Sequence, residues 1–239
     1  MLNTPTDFHR KLVTWHLTDS ALPTGGFAHS AGLETFVQDE RVHDPSTFSK
    51  WLHGYLRQAS FNDALAVKCA VQLHENELND EGKLKALRDL DALLHACQAP
   101  KQVRASMNSM GRRMAKIASF IAPEDFLVTQ YAQATNAHLM HGNPGIASGL
   151  ALAASNVSMH DAVSAYLMQM ANSITQNAIR AIPLGQDAGQ QILVGAYPII
   201  EKATQMTISH DISDLGCVAP QLEIAQMAHE DLRSRMFMS

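Results

Sequence analysis

The sequence is poor in charged residues, and this shortage narrows what the chain can be. Only 17% of its 239 residues are Asp, Glu, Lys or Arg, against roughly a quarter in a typical globular domain. The deficit predicts either a generous core or apolar surface that a partner covers. A formal net charge of -5 argues against a nucleic-acid-binding protein, because such proteins usually carry a basic surplus.

Cysteine and long apolar runs are also scarce. The three cysteines, Cys69, Cys97 and Cys217, are far apart and odd in number, so they indicate no disulfide framework and suit a reducing compartment. No window offers about 20 uninterrupted apolar residues, so we expect no membrane span. The first residues have neither a basic start nor an apolar run, which predicts no signal peptide. The expectation is a soluble, cytoplasmic protein.

Helix signals dominate what is present. Asp44-Pro45 and Asn143-Pro144 each combine a capping side chain with a proline, which fits the first turn of a helix. Ser158 with Asp161 resembles a capping box. Apolar residues recur at helical spacing, and alternating strand patterns are missing. We therefore predict an all-α fold: a single compact bundle of roughly ten helices spanning residues 1–239, with a C-terminal tail that depends on a partner.

One long stretch is almost free of charge. Between residues 126 and 179 the only Asp, Glu, Lys or Arg is Asp161, yet the stretch is rich in Gln, Asn and His. Uncharged helices must be shielded on most sides. Three interpretations stay open: a central helix pair inside the domain, a symmetric dimer interface, or a polar lining around buried water. The last would suit a path for a hydrated metal ion.

The usual catalytic motifs fail when tested against this sequence. Gly82-Lys83 lacks the upstream glycine and the following hydroxyl of a phosphate-binding loop. His74-Glu75 and His229-Glu230 lack the second histidine of a zinc protease. A nucleophile–base–acid set could be drawn from Asp19, Ser20, His29, Ser30 and Glu34, but no Gly-x-Ser-x-Gly elbow or strand would hold it. We predict that the chain is not an enzyme.

His138 and His141 are the candidate metal ligands. They lie three residues apart near a helix end, and imidazole suits nickel or zinc. No cysteine or carboxylate lies nearby in sequence to complete a ligand shell. The alternative interpretation is a pair of capping or hydrogen-bonded histidines. A nickel-binding metallochaperone that uses His138 and His141 is therefore the alternative function.

A family resemblance begins in residues 19–34. They read Asp-Ser-Ala-Leu-Pro-Thr-Gly-Gly-Phe-Ala-His-Ser-Ala-Gly-Leu-Glu, which resembles the N-terminal signature of the UreF family of urease accessory proteins. Further segments are similar in the same order: Arg104 to Arg113, His141 to Pro144, the run Arg180-x-x-Pro-Leu-Gly-Gln-x-x-Gly-Gln190, and the ending from His229-Glu230 to Ser239. The resemblance spans almost the whole chain.

The resemblance implies an all-α dimer without catalytic activity. Such proteins bind an accessory protein called UreD or UreH, and the complex recruits the GTPase UreG and docks on apo-urease. The implied role is a chaperone that regulates UreG while nickel is inserted into urease. No cofactor is expected, because the complex handles nickel without this chain binding it tightly.

The resemblance also places the partner-binding residues. Arg235 and Phe237 are the predicted anchors in the tail, since arginine and aromatic residues dominate interface hot spots. Residues 19–34 and the turn after Arg180 are predicted to contact the GTPase or to set the dimer geometry. The full predicted partner-binding set is Asp19, Ser20, Pro23, Gly25, Gly26, His29, Ser30, Glu34, Arg180, Gly185, Gln186, His229, Glu230, Arg235 and Phe237.

Overall fold

A computed structural model of the chain describes residues 6–19 and 21–239. Its described part is all-α, without a strand, which confirms the predicted fold class. Three short 3-10 turns, at Gly26–Ala28, Ile212–Asp214 and His229–Asp231, join the α-helices. The twelve α-helices are α1 Asp7–Thr18, α2 Leu33–Gln38, α3 Pro45–Ala59, α4 Asp63–Glu75, α5 Asp80–Cys97, α6 Lys101–Ile121, α7 Phe126–Asn136, α8 Pro144–Ala154, α9 Met159–Ala181, α10 Gln186–Gly195, α11 Tyr197–Ser209 and α12 Pro220–Ala228.

The predicted helix starts are formed by the expected side chains. The Asp44 side chain accepts the Thr47 N–H at 2.8 Å, and the Thr47 hydroxyl accepts the Asp44 backbone N–H, so the two residues form a capping box. Asn143 accepts the N–H groups of Gly145 and Ile146. Ser158 accepts the N–H of Asp161 at 3.1 Å. Each cap satisfies backbone donors that the first turn of a helix leaves without partners.

Helix α8 lies at the centre and packs most closely on α4 and α6. All ten residues of α8 from Pro144 to Ala153 are buried. Its two glycines allow a close approach: a Cβ on Gly149 would lie 2.7 Å from the Val67 carbonyl oxygen, and one on Gly145 would lie 2.7 Å from the Asp63 carbonyl oxygen. The charge-free stretch therefore includes a central helix, the first of the three interpretations.

One local prediction needs correction and another is confirmed. The sequence predicts one continuous helix from Phe27 to Val37, but Ala31 and Gly32 adopt positive φ values of 51° and 91° and interrupt it. The α-helix begins only at Leu33. The sequence also predicts that a helix through Ile192, Leu193 and Ala196 bends or ends at Pro198. This prediction is confirmed: α10 ends at Gly195, and Pro198 lies in the first turn of α11, where its missing N–H is not needed.

No helix of the described residues combines the length and the apolar character that crossing a membrane requires.

Candidate partner-binding site

The segment between α1 and α2 turns back on itself. Gly25 has a φ of +91°, a conformation that glycine adopts without strain, and it leads into the 3-10 turn. His29 and Ser30 follow before the positive-φ pair at Ala31 and Gly32. Ser20, one of the predicted partner-binding residues, lies outside the described residues.

The tail, residues 229–239, lies against this segment. The Met238 N–H donates to the Ala28 carbonyl oxygen at 2.8 Å. The backbone N–H and the hydroxyl of Ser30 both donate to the Ser239 main-chain oxygen. Two elements about 210 residues apart in sequence are thus held together by backbone hydrogen bonds. The dependence of the tail on a partner stays a prediction, but its last residues have contacts within their own chain.

A buried carboxylate holds the tail from the other side. Glu34 is 5% exposed, and its side chain accepts the N–H groups of Met236 and Phe237. The same carboxylate lies 2.8 Å from Nε2 of His229, which is fully buried. Nδ1 of His229 contacts Oε1 of Gln102 at 3.0 Å. Burial of these polar groups is tolerable because each has a partner.

A second polar cluster surrounds His29. Its Nδ1 lies 2.8 Å from the hydroxyl of Ser239 and 3.0 Å from the hydroxyl of Ser106. Burial, followed by the charge of the nearby His229, lowers the pKa of His29, which favours the neutral imidazole. The Ser30 hydroxyl donates to a main-chain oxygen. The described residues of this segment therefore do not assemble a nucleophile with a base and an orienting acid.

Arg180 joins the two aromatic residues of the site. Its guanidinium lies 4.1 Å from the ring centre of Phe27 and 4.9 Å from that of Phe237. Its Nη1 also donates to the Phe27 carbonyl oxygen at 3.0 Å. One turn earlier on α9, Asn177 donates to the His29 carbonyl oxygen at 2.7 Å. The 19–34 segment, the end of α9 and the tail therefore form one site.

The predicted residues divide into a buried group and an exposed group. Ser30, Glu34, His229 and Phe237 are buried and hold the site together, and His29 and Gly26 are half-buried. Residues that face solvent are free to meet another protein, and these are Asp19, Pro23, Gly25, Arg180, Gly185, Gln186, Glu230 and Arg235. Their binding of a partner stays a prediction.

A cavity of about 120 Å³ lies behind the site. His29 and Ser239 line one part of it, and Gln169 and Ser173 line another. Asp63 also lines it, and its carboxylate has no hydrogen-bond or ion-pair partner on any other described residue. Burial raises the pKa of Asp63 to about 6, because burial disfavours the charged form.

The two candidate metal ligands, His138 and His141, lie in different local settings, and their binding of a metal stays a prediction. His141 stacks on the ring of His95, a residue that the sequence analysis did not select. His138 lies in a turn with a positive φ of 58°. Within the described residues, no three or more His, Cys, Asp or Glu side chains form a group that could hold a metal ion.

Several residues of the site were missed by sequence reasoning. Gln102, Ser106 and Ser239 make contacts that hold the tail, Asn177 holds the 19–34 segment through the His29 carbonyl oxygen, and Asp63 lines the cavity. Asn177 precedes Arg180 by nearly one helical turn, so helical spacing could have suggested it. The other four carry no comparable local signal.

Comparisons with known proteins identify the family of the chain. The UreF family model matches residues 42–197. The chain is 36% identical to a urease accessory protein UreF from Corynebacterium efficiens, with 96% of this chain and 97% of that protein covered. It is 38% identical to one from an Arthrobacter species (96% and 97% covered) and 35% identical to one from a Bacillus species (97% and 100% covered). The chain belongs to the UreF family of urease accessory proteins.

Proposed function

We propose that this chain is a non-catalytic, cytoplasmic scaffold in urease maturation. It forms a homodimer, binds a UreD/UreH-type accessory protein, and with it recruits and regulates the GTPase UreG on apo-urease. Nickel is the cargo of that assembly. Family membership and the names of the relatives support the general role, and the docked tail supports the assignment of the binding surface.

The single observation that carries the proposal is the apolar surface above the docked tail. Met236 and Met238 are 56% and 68% exposed although Phe237 between them is buried. On α12, Ile224 and Met227 are also exposed, and α12 packs on the same helix α2 that holds the tail. Flexible methionines suit an adaptable protein interface, and exposed apolar side chains that are this numerous call for a partner.

A different surface suits the GTPase or the second copy. Phe27 is 52% exposed, and Arg180 stacks on it with its guanidinium at the surface. Gly185 and Gln186 follow on the exposed turn into α10. Arginine and aromatic side chains are frequent interface hot spots. The proposal therefore assigns two neighbouring surfaces of one site, and exposed residues of each, Met236 and Met238 on the first and Gln186 on the second, can be substituted separately.

The test is co-purification with separate variants of the two surfaces. The double variant Met236→Glu, Met238→Glu should lose capture of the cognate UreD-type protein while keeping the tail docked, since neither side chain is buried. Leu78→Glu, at an exposed leucine in the loop before α5, is the matched control. The second surface is tested with Gln186→Arg, by measuring the masses of the complexes that this variant forms with UreG, with and without nucleotide. Undiminished capture by the double glutamate variant would contradict the assigned surface.

A second candidate function is a path for the hydrated ion, which the cavity and the unpartnered Asp63 favour. Gln169 is an amide residue that lines the cavity. Gln169→Leu should slow urease activation in a reconstituted mixture without changing complex assembly. The control is Gln133→Leu, at an exposed position of α7 away from the cavity lining. Equal activation rates for both variants would remove this candidate.

A further inference from the structure

Two imidazole rings stack at the end of α5. His95, on α5, and His141, in the loop before α8, have ring centres 3.6 Å apart and planes inclined by only 5°. His95 is half-buried and His141 is exposed. They are 46 positions apart in sequence, so only the fold brings them together.

The stack is built by a buried carboxylate. Asp91 lies one turn before His95 on α5 and is 2% exposed. Its carboxylate accepts the N–H of His141 at 2.7 Å, the N–H of Gly142 at 3.0 Å and the hydroxyl of Tyr131 at 2.7 Å. The helix that carries His95 therefore also fixes the backbone of His141. The backbone of His141 is thereby fixed beside α5, while its exposed ring can still turn.

The hydrogen-bond partners of the rings leave ligand nitrogens available. Nδ1 of His95 lies 3.1 Å from Oδ1 of Asn108, which favours the proton on Nδ1 and leaves a lone pair on Nε2. Such an outer partner on the second ring nitrogen is the arrangement usual for metal-binding histidines. His141 makes no ring hydrogen bond to the described residues. Each histidine thus offers one free nitrogen.

We propose that His95 and His141 form a two-imidazole site for a divalent transition-metal ion such as Ni²⁺. Nitrogen lone pairs point along the ring planes, so His141 must tilt out of the stack for both nitrogens to face one ion. Its exposure leaves room for that movement. Water completes the coordination, because the described residues around the pair supply no third ligand group. Imidazole suits nickel, copper and zinc, and two ligands favour a weak, exchangeable ion.

The charges around the pair act in both directions. The Asp91 carboxylate, bonded to the His141 backbone, favours a cation. The Arg112 guanidinium, 3.5 Å from the His141 carbonyl oxygen, opposes one. The site does not depend on the proposed scaffold role, since the isolated chain should bind the ion without any partner.

Calorimetric titration of the untagged full chain with nickel chloride tests the proposal. We expect one ion per chain, with at least tenfold weaker binding in His141→Ala and in His95→Ala. His138→Ala, at the exposed histidine of the same loop, is the matched control and should bind as the parent chain does. Circular dichroism checks that each variant keeps its helices. Unchanged binding in His141→Ala, or equal weakening in His138→Ala, would overturn the assignment.

Discussion

Two contacts within this molecule differ in their chemistry. One joins α4 to α8, and the other joins the tail to α2. The first is dry and depends on small residues that let two backbones approach. The second depends on buried polar side chains, with Glu34 and His229 at its centre. Close packing tolerates almost no added volume, whereas a polar contact can be exchanged for water when its partner leaves. We infer that the helix pair is permanent and the tail is releasable.

Adding one methyl group to the helix pair should have the largest effect. Gly149→Ala would place a Cβ 2.7 Å from the Val67 carbonyl oxygen and 2.8 Å from the Ala70 Cβ. Since neither helix can move without disturbing the core, we expect a loss of about 3 kcal/mol in the free energy of unfolding, measured with urea.

The control for that substitution is Gly54→Ala, at an exposed position of α3. A Cβ there meets nothing within 4 Å, so helix propensity should stabilise the chain by roughly 0.5–1 kcal/mol. A similar sign for both substitutions would mean that α4 and α8 are not in tight backbone contact.

Removing the central carboxylate of the tail contact should have a smaller but localised effect. Glu34→Ala leaves the N–H groups of Met236 and Phe237 and one ring nitrogen of His229 without their partner. Because the tail can detach and hydrate, we expect a cost of about 2 kcal/mol. Hydrogen exchange should accelerate in residues 235–239 and remain slow in α8. Glu230→Ala, at the exposed neighbour of His229, should change neither the unfolding free energy nor the hydrogen exchange. Faster exchange in α8 of Glu34→Ala would contradict the inference that the tail is released without disturbing the helix pair.

Asp63 lies next to the α4–α8 contact and also lines the cavity behind the tail, and it makes the stability of the fold depend on pH. Its carbonyl oxygen lies close to Gly145 in the helix pair, and the residue also lines the cavity behind the tail. Burial raises its folded-state pKa to about 6 from the usual 3.8. The unfolded chain therefore binds fewer protons between these values, so this group destabilises the fold as the pH rises from about 4 to 6.

Asp63→Asn should remove that penalty. The gain should be absent near pH 4 and about 1 kcal/mol above pH 7, well below the full linkage value because the half-buried Asp63 keeps part of its contact with solvent. The measurement is the difference in unfolding free energy between the two chains at pH 4.5 and pH 7.5. A difference that does not change with pH would show that the carboxylate is as well solvated when folded as when unfolded.

The dry region was largely predictable from sequence and the polar one was not. Pro144 after Asn143, together with the small residues of α8, signals a tightly packed helix because caps and spacing are local properties. The partnership of Glu34 with His229 spans 195 positions, and no periodicity records it. The interruption of the helix before α2 could not be predicted, because it occurs at Ala31 and a positive φ is unusual for alanine. The family resemblance identified the segments of the site but not their contacts with one another.

The smallest expected effect is at the rim of the tail contact. Arg180→Lys keeps the positive charge but loses the flat guanidinium that lies over Phe27 and Phe237. An ammonium group also cannot repeat the same stacking, so the expected cost is about 0.5 kcal/mol because the site is exposed. Hydrogen exchange of the tail should accelerate by about twofold, since 1.4 kcal/mol corresponds to a factor of ten. The control is Arg88→Lys, at an exposed position of α5, which should have no effect. A loss of unfolding free energy in Arg180→Lys as large as that in Glu34→Ala would mean that stacking, rather than the buried carboxylate, holds the tail.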